Sequence, residues 1–331
     1  MVLPLTWAGG KAPRFRGALL TLGAVTALYL GLLAWLDSRN HLIAALPTLA
    51  AALPVVMAIS VVSYAIRIAR WQWLFRRAGH AMPWRTAAWV YVAGFAFTAS
   101  PGKLGELIRL RYLPAVPVPI AVGEFFFERL LDLIAVLLLS ALAIGNLPGL
   151  GVAASFVALV ALAVALLVLW SGVASALATG FDRYGWTRVA SSIRDFALGM
   201  HGIRRWCTPV DLGVTLTLSL SSWSVASASF VWLMAQFQLP IDMPLALAIY
   251  PLASLVGAAS MLPGGMGSTE LAIVAAMSLL GVPPGSALVA AIGIRVGTLW
   301  FALAIGVLAM LRLEWARAQA ASIQRSVSSS G

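Results

Sequence analysis

Apolar positions along the chain gather into long runs, and the polar positions fall mainly between them. Six runs, at about 17–36, 46–68, 122–144, 152–170, 212–235 and 286–311, have the ~20 residues that a helix needs to cross ~30 Å of hydrocarbon. Two further apolar stretches are interrupted. Residues 86–98 and 104–113 are each too few to cross, and Ser100-Pro101-Gly102 joins them. The stretch 244–262 reaches Pro263-Gly264-Gly265, after which 271–280 is again too short. Proline ends a helix by lacking an N–H, and glycine by its backbone freedom. Each pair of segments joined at Pro-Gly therefore predicts a re-entrant helical hairpin, one that enters and leaves the membrane on the same side.

The longest polar connection is 171–209. Within it Trp186, Val189, Ile193, Phe196, Met200 and Ile203 recur at spacings of three and four, while Arg183, Arg188, Arg194, Arg204 and Arg205 fall off that stripe. The pattern predicts an amphipathic helix over about 184–206, lying in the membrane surface and joining two halves of the chain. Arginines and aromatics also interleave after the second run, as Arg67, Arg70, Trp71, Trp73, Phe75, Arg76, Arg77, Trp84 and Arg85. That mixture predicts an interfacial elbow, with rings at headgroup depth and guanidinium groups turned toward lipid phosphates. The expected fold is an all-α integral membrane protein with six spanning helices and two oppositely oriented re-entrant helical hairpins. Its parts are a cytoplasmic segment 1–16, one transmembrane domain 17–312 with inverted halves of about 17–145 and 152–311, and a cytoplasmic tail 313–331 that reads as disordered.

Composition makes lipid the main solvent. Hydrophobic residues are 61% of the chain and charged residues 10%, with a mean hydropathy of +0.95, more apolar surface than a soluble domain hides. The net charge of +11 does not point to nucleic acid, because the arginines sit in the short segments between apolar runs. With the N-terminus cytoplasmic, the inner segments 1–16, 67–85, 171–209 and 312–331 hold three, five, five and three Lys/Arg, and the outer loops hold only Arg39. The excess of positive charge on the inner side sets both termini in the cytoplasm. The second half then starts on the opposite face, so one hairpin opens inward and the other outward. Such an inverted repeat with discontinuous helices places a binding site near the bilayer midplane. A single cysteine, Cys207, excludes an internal disulfide, and His41, His80 and His201 are isolated, so no metal set is expected. Gly102-Lys103 lacks the rest of a nucleotide loop, and no dinucleotide fingerprint or Ser/His/Asp set is present. No cofactor is expected.

The charged residues within the apolar runs carry the candidate chemistry. Lys103, Glu106, Arg109 and Arg111 fall in the first hairpin. Glu124, Glu128 and Asp132 stand four apart on the next helix and share a face, with Arg129 beside them; Glu270 follows the second break and Arg295 lies inside the last helix. A charge in hydrocarbon costs at least a few kcal/mol, so such residues face the bundle interior or a watery cavity. Two roles follow. Glu106 with Arg129, and Glu270 with Arg295, form pairs that pin each hairpin to a neighbour; the cations Lys103, Arg109, Arg129 and Arg295 line a cavity for an anionic headgroup, aided by the half-helix N-terminus after Gly102. Pro101, Gly102, Gly105, Pro263, Gly264, Gly265 and Gly267 form the turns and hinges at the tips and allow close approach to the backbone.

Ser-Pro-Gly-Lys-Leu-Gly-Glu-Leu-Ile-Arg (100–109), Glu-Arg-Leu-Leu-Asp (128–132) and Leu-Pro-Gly-Gly-Met-Gly-Ser-Thr-Glu (262–270) resemble three signatures of the lysylphosphatidylglycerol synthase transmembrane-region family, which includes the flippase domain of the multiple peptide resistance factor. The resemblance covers about residues 15 to 312. It implies a bacterial inner-membrane protein that moves a lipid between leaflets, with Pro101, Gly102, Glu106, Arg109, Glu128, Arg129, Asp132, Pro263, Gly264, Gly265 and Glu270 in the signature positions. The soluble aminoacyl-transfer domain of two-domain members has no counterpart here, which leaves the lipid open: an anionic phospholipid, an aminoacyl or glyco-lipid, or another envelope lipid. The alternatives are a membrane-embedded transferase using a polyprenyl-phosphate sugar, with Glu124, Glu128 or Asp132 as base, and a non-catalytic partner in envelope-lipid assembly. Candidate protein partners are a second copy of the chain or a lipid-synthesis enzyme.

Overall fold

A computed structural model of the chain describes residues 42–113, 115–144, 171–239 and 241–329. The first apolar run at 17–36 and the run at 152–170 lie outside the described residues. Two compact units result, Met1–Pro47 and Thr48–Gly331. The described part of the first is the opening of α1.

Every regular element of the described residues is a helix, without strands. α1 spans Leu42–Arg77. α2, Trp84–Gly94, ends in a short 3-10 turn over Phe95–Phe97, and a second 3-10 segment runs from Pro101 to Tyr112. Then come α3 (Val118–Ile144), α4 (Ser171–Arg183), α5 (Thr187–Trp206), α6 (Pro209–Gln236) and α7 (Met243–Ala259). A tight turn at Pro263–Gly265 leads into α8 (Ser268–Leu279), α9 (Pro284–Arg295), a π-helical turn at Val296–Trp300, and α10 (Phe301–Ser329). Three described stretches are long and apolar enough to cross a membrane: Ala45–Arg77, Pro209–Gln236 and Pro284–Gln319. α3 has the length, with 27 residues, but carries Glu124, Glu128, Arg129 and Asp132 between its second turn and its middle.

Local sequence explains the boundaries. Proline opens α6, α7 and α9 at their first or second position, where a missing N–H costs nothing. Thr208 caps α6: its hydroxyl accepts from the Asp211 N–H at 3.2 Å, and its own N–H donates to Asp211 Oδ2 at 3.0 Å. The Asp211 carboxylate is also held by Arg77 at 2.7 and 2.8 Å, which fastens the end of α1 to the start of α6.

The main core gathers Leu49, Ala52 and Val56 of α1, Phe230 and Leu233 of α6, Ile249 of α7, Ile273 and Met277 of α8, and Ala290 and Ile294 of α9. A second cluster joins Leu74, Phe127, Leu131, Met200 and Ile203. Lipid tails are as apolar as leucine, so helices here gain by close packing, and small residues permit it. α5 crosses α3 at glycine on glycine, where a Cβ on Gly123 would stand 2.6 Å from Gly199 Cα. The predicted surface helix is thus docked: Met200 and Ile203 of its stripe are buried, while Trp186 and Val189 remain exposed.

Two expectations are corrected. The arginine–tryptophan stretch is no elbow along its whole length, because α1 continues through it and buries Arg67, Arg70 and Trp71; carboxylates on α3 supply the missing solvation. The tail expected to be disordered continues α10 to Ser329. Its alanines, glutamines and arginines are good helix formers, and Glu314 accepts from Arg111 at 3.1 Å and from Tyr112 at 2.7 Å.

Candidate headgroup cavity

The first break sets its charges in a row. Lys103, Glu106, Arg109 and Tyr112 are three apart, and a 3-10 helix has three residues per turn, so all four project to one side. Glu106, Arg109 and Tyr112 are buried, while Leu104 and Arg111 on the other sides are exposed. Runs of 3-10 helix beyond three or four residues are uncommon; this one has 12 residues. Lys103 has φ of 57°, a left-handed conformation that costs a non-glycine residue roughly 1–2 kcal/mol. Such strain persists only where its surroundings fix it.

α3 receives this row. Glu128 accepts from Arg109 at 2.5 Å, from Arg70 at 3.3 Å and from the Tyr91 hydroxyl at 3.4 Å. One turn on, Asp132 accepts from Arg70 at 2.7 Å and Arg67 at 3.2 Å, with Arg129 at 3.5 Å. Arg70 also donates to Ser219 of α6. Glu106 accepts from the Thr98 hydroxyl at 2.8 Å and pairs with Arg129 at 3.8 Å. Aromatic faces shield the guanidinium groups: Arg109 lies 5.0–5.4 Å from the ring centres of Trp71, Tyr91 and Phe125, and Arg67 lies 4.9 Å from that of Trp223. Charge-assisted bonds of this kind make the burial of so many ions tolerable.

The second break has its own brace. Glu270 accepts from the Gly267 N–H at 2.7 Å and from Arg295 Nε at 2.9 Å, and Arg295 donates on to the Gly264 carbonyl at 2.5 Å. Gly264, Gly265 and Gly267 take φ of 61°, 64° and 82°, which a side chain would resist. The two breaks touch, since a Cβ on Gly264 would lie 3.4 Å from Ala99 Cα. The π-turn after Arg295 frees carbonyls from the helical ladder. Gly297 O accepts from Ser60 at 3.0 Å, and Thr298 O from Tyr64 at 2.9 Å.

Between these parts lies a cavity of about 340 Å³. Among the described residues, Arg67, Lys103, Arg129 and Arg295 line it against only two acids, Glu106 and Asp132, with hydroxyls of Ser60, Thr98 and Thr298 and rings of Tyr64, Trp223 and Tyr250. Both acids are already held by arginine. Among the described lining residues three donors are left over: Lys103 makes no ion pair, and Arg129 Nε and Trp223 Nε1 are buried without a hydrogen-bond partner. Of the predicted residues, the structure gathers Lys103, Glu106, Arg129, Asp132, Arg295, Gly264 and Gly265 at the cavity. Arg109 and Glu128 stand behind it as a buried pair, and Glu270 acts on Arg295 from the second break. Pro101 and Gly102 open the 3-10 segment, and Gly105 packs against Phe97. Sequence reasoning missed Arg67, Tyr64 and Trp223. A signal existed in Ser60, Ser63, Tyr64, Arg67 and Arg70, a polar stripe at helical spacing within an apolar run.

Comparison with known proteins gives two findings. Residues 19–306 match the profile described as the lysylphosphatidylglycerol synthase TM region. A UPF0104 membrane protein of Methanothermobacter thermautotrophicus is 33% identical over 120 residues, covering 36% of this chain and 35% of the relative. The match thus spans about a third of that relative's length.

Proposed function

This chain belongs to the lysylphosphatidylglycerol synthase transmembrane-region family, and from that premise we propose that it is a lipid translocase whose cavity receives an anionic headgroup while the acyl chains stay in lipid. The observation that carries the reading is the unmatched set of donors. Arg67, Lys103, Arg129 and Arg295 face two acids that are already engaged, and the ammonium of Lys103, Arg129 Nε and Trp223 Nε1 have no acceptor among the described residues. A phosphate oxygen supplies both the charge and the acceptor.

The wider architecture belongs to this reading. It has six spanning helices and two re-entrant hairpins, set in an inner membrane with both termini cytoplasmic, and the hairpins meet from opposite faces as parts of an inverted repeat. The likeness of the two braces supports this. Each break is followed by a glutamate, Glu106 or Glu270, which pairs with an arginine on a later helix, Arg129 or Arg295. Of the three candidate bases of a transferase, Glu128 and Asp132 are each held by at least two arginines, and Glu124 does not line the cavity.

The test is the accessibility of labelled phospholipid headgroups in proteoliposomes. The protein accelerates exchange of an anionic phospholipid between leaflets over empty vesicles. Lys103→Ala, which removes one charge-assisted contact of about 1.5–3 kcal/mol, slows it by roughly ten- to a hundredfold. No acceleration with any of several lipids would remove the reading.

A further inference from the structure

Glu124 stands apart from the other charges. It is fully buried on α3, and neither of its carboxyl oxygens has a hydrogen-bond partner among the described residues. It does not line the cavity, and the proposed carriage of a headgroup makes no use of it. An ionised carboxyl in that setting is among the costliest groups to bury, whereas a protonated one is tolerated. Its position is specific: one helical turn before Glu128, on the same face, so that about 5–6 Å separates the two Cβ atoms.

We propose that Glu124 is a proton-binding site, coupled to the headgroup cavity through Arg109. The coupling rests on the translocase reading, while the proton site does not. In the structure Arg109 binds Glu128 at 2.5 Å, and Arg70 also binds Glu128 at 3.3 Å. When Glu124 gives its proton to solvent, it becomes a second anion one turn away. Arg109 then moves to it, and Arg70 stays with Glu128. Arg109 belongs to the same 3-10 row as Glu106 and Lys103, which line the cavity. A shift of Arg109 along α3 therefore pulls on the headgroup contacts. The long 3-10 run is suited to this, because its bonds reform readily as α-helix with a shorter rise per residue.

The surroundings leave few competitors. Among the described residues, Arg109 and Glu128 are the charged groups that act on Glu124, and Cys207 at the junction of α5 and α6 lies within its electrostatic reach. From α1 and α2, Arg70 and Tyr91 reach Glu128. On α5, Arg194 pairs with Asp182, and Arg205 lies against His201 on the exposed side; Asp195 is half-buried. The one charged residue of α6, Asp211, is bound to Arg77, and α7 carries no charged residue.

Two measurements test the proposal. In infrared spectra of the purified full chain in lipid, the protonated-carboxyl band of the wild type is lost in Glu124→Gln; identical bands in the two proteins would overturn the proton site. In proteoliposomes, a pH gradient changes the rate of anionic-lipid exchange by the wild type, and Glu124→Gln brings the ratio of rates with and without the gradient to about one. The exposed-acid control Asp242→Asn keeps the wild-type ratio. A wild-type rate indifferent to the gradient would overturn the coupling. Absence of exchange under every condition would instead count against the translocase reading, and the infrared band would still decide the proton site.

Discussion

At the scale of single residues, the interior is a set of charges that hold one another. Arg295 ties Glu270 to the Gly264 carbonyl, so it braces the second break from both sides. Arg295→Ala removes the cation from a buried glutamate, and the expected cost is about 3–5 kcal/mol. Thermal unfolding in detergent checks this. The double variant Glu270→Gln, Arg295→Met is expected to lose less than Arg295→Ala alone, because it leaves no uncompensated charge. This brace was legible in the sequence: a glutamate after each Pro-Gly and an arginine inside a later helix had few other places to go. Arg67 and Arg70 were not legible by the same logic. Arginine mixed with tryptophan is also the makeup of a headgroup belt, and only the acids on α3 reveal which of these arginines turn inward.

At the scale of elements, the segment Pro101–Tyr112 decides how the cavity is lined. Its period of three sets Lys103, Glu106 and Arg109 in one row, whereas an α-helix would fan them over its surface. The half-length segments flanking both breaks could be read from hydrophobic run lengths. The 3-10 geometry could not, because it depends on contact with another part of the chain. Gly105 donates its N–H to Ser100 Oγ at 2.6 Å, and a Cβ there would stand 2.7 Å from both Phe97 Cβ and Ser100 Oγ. Gly105→Ala must push the 3-10 segment off the turn before it, at an expected cost of about 1–3 kcal/mol. A lowered melting temperature, with loss of anionic-lipid exchange beyond what the melting shift explains, is the expected result.

At the scale of the whole molecule, a membrane protein has buried an excess of positive charge where its two broken helices touch. Hydropathy announced the membrane, and the matched Pro-Gly breaks announced where the chain would interrupt its helices. The docking of α5 on α3 was hidden, since Gly123 and Gly199 become meaningful only as a pair. The persistence of α10 to Ser329 was hidden as well, because its contacts reach back to Arg111 and Tyr112. What unites these features is the proposed role of the cavity as a seat for an anion, and its described lining carries four cations against two acids. Native mass spectrometry of the protein released from mild detergent tests that most directly. The wild type is expected to retain an anionic phospholipid, and Lys103→Glu, which reverses the one unpaired charge among the described lining residues, is expected to lose it. Equal retention by both proteins, or a wild type that holds only zwitterionic lipid, would contradict the account.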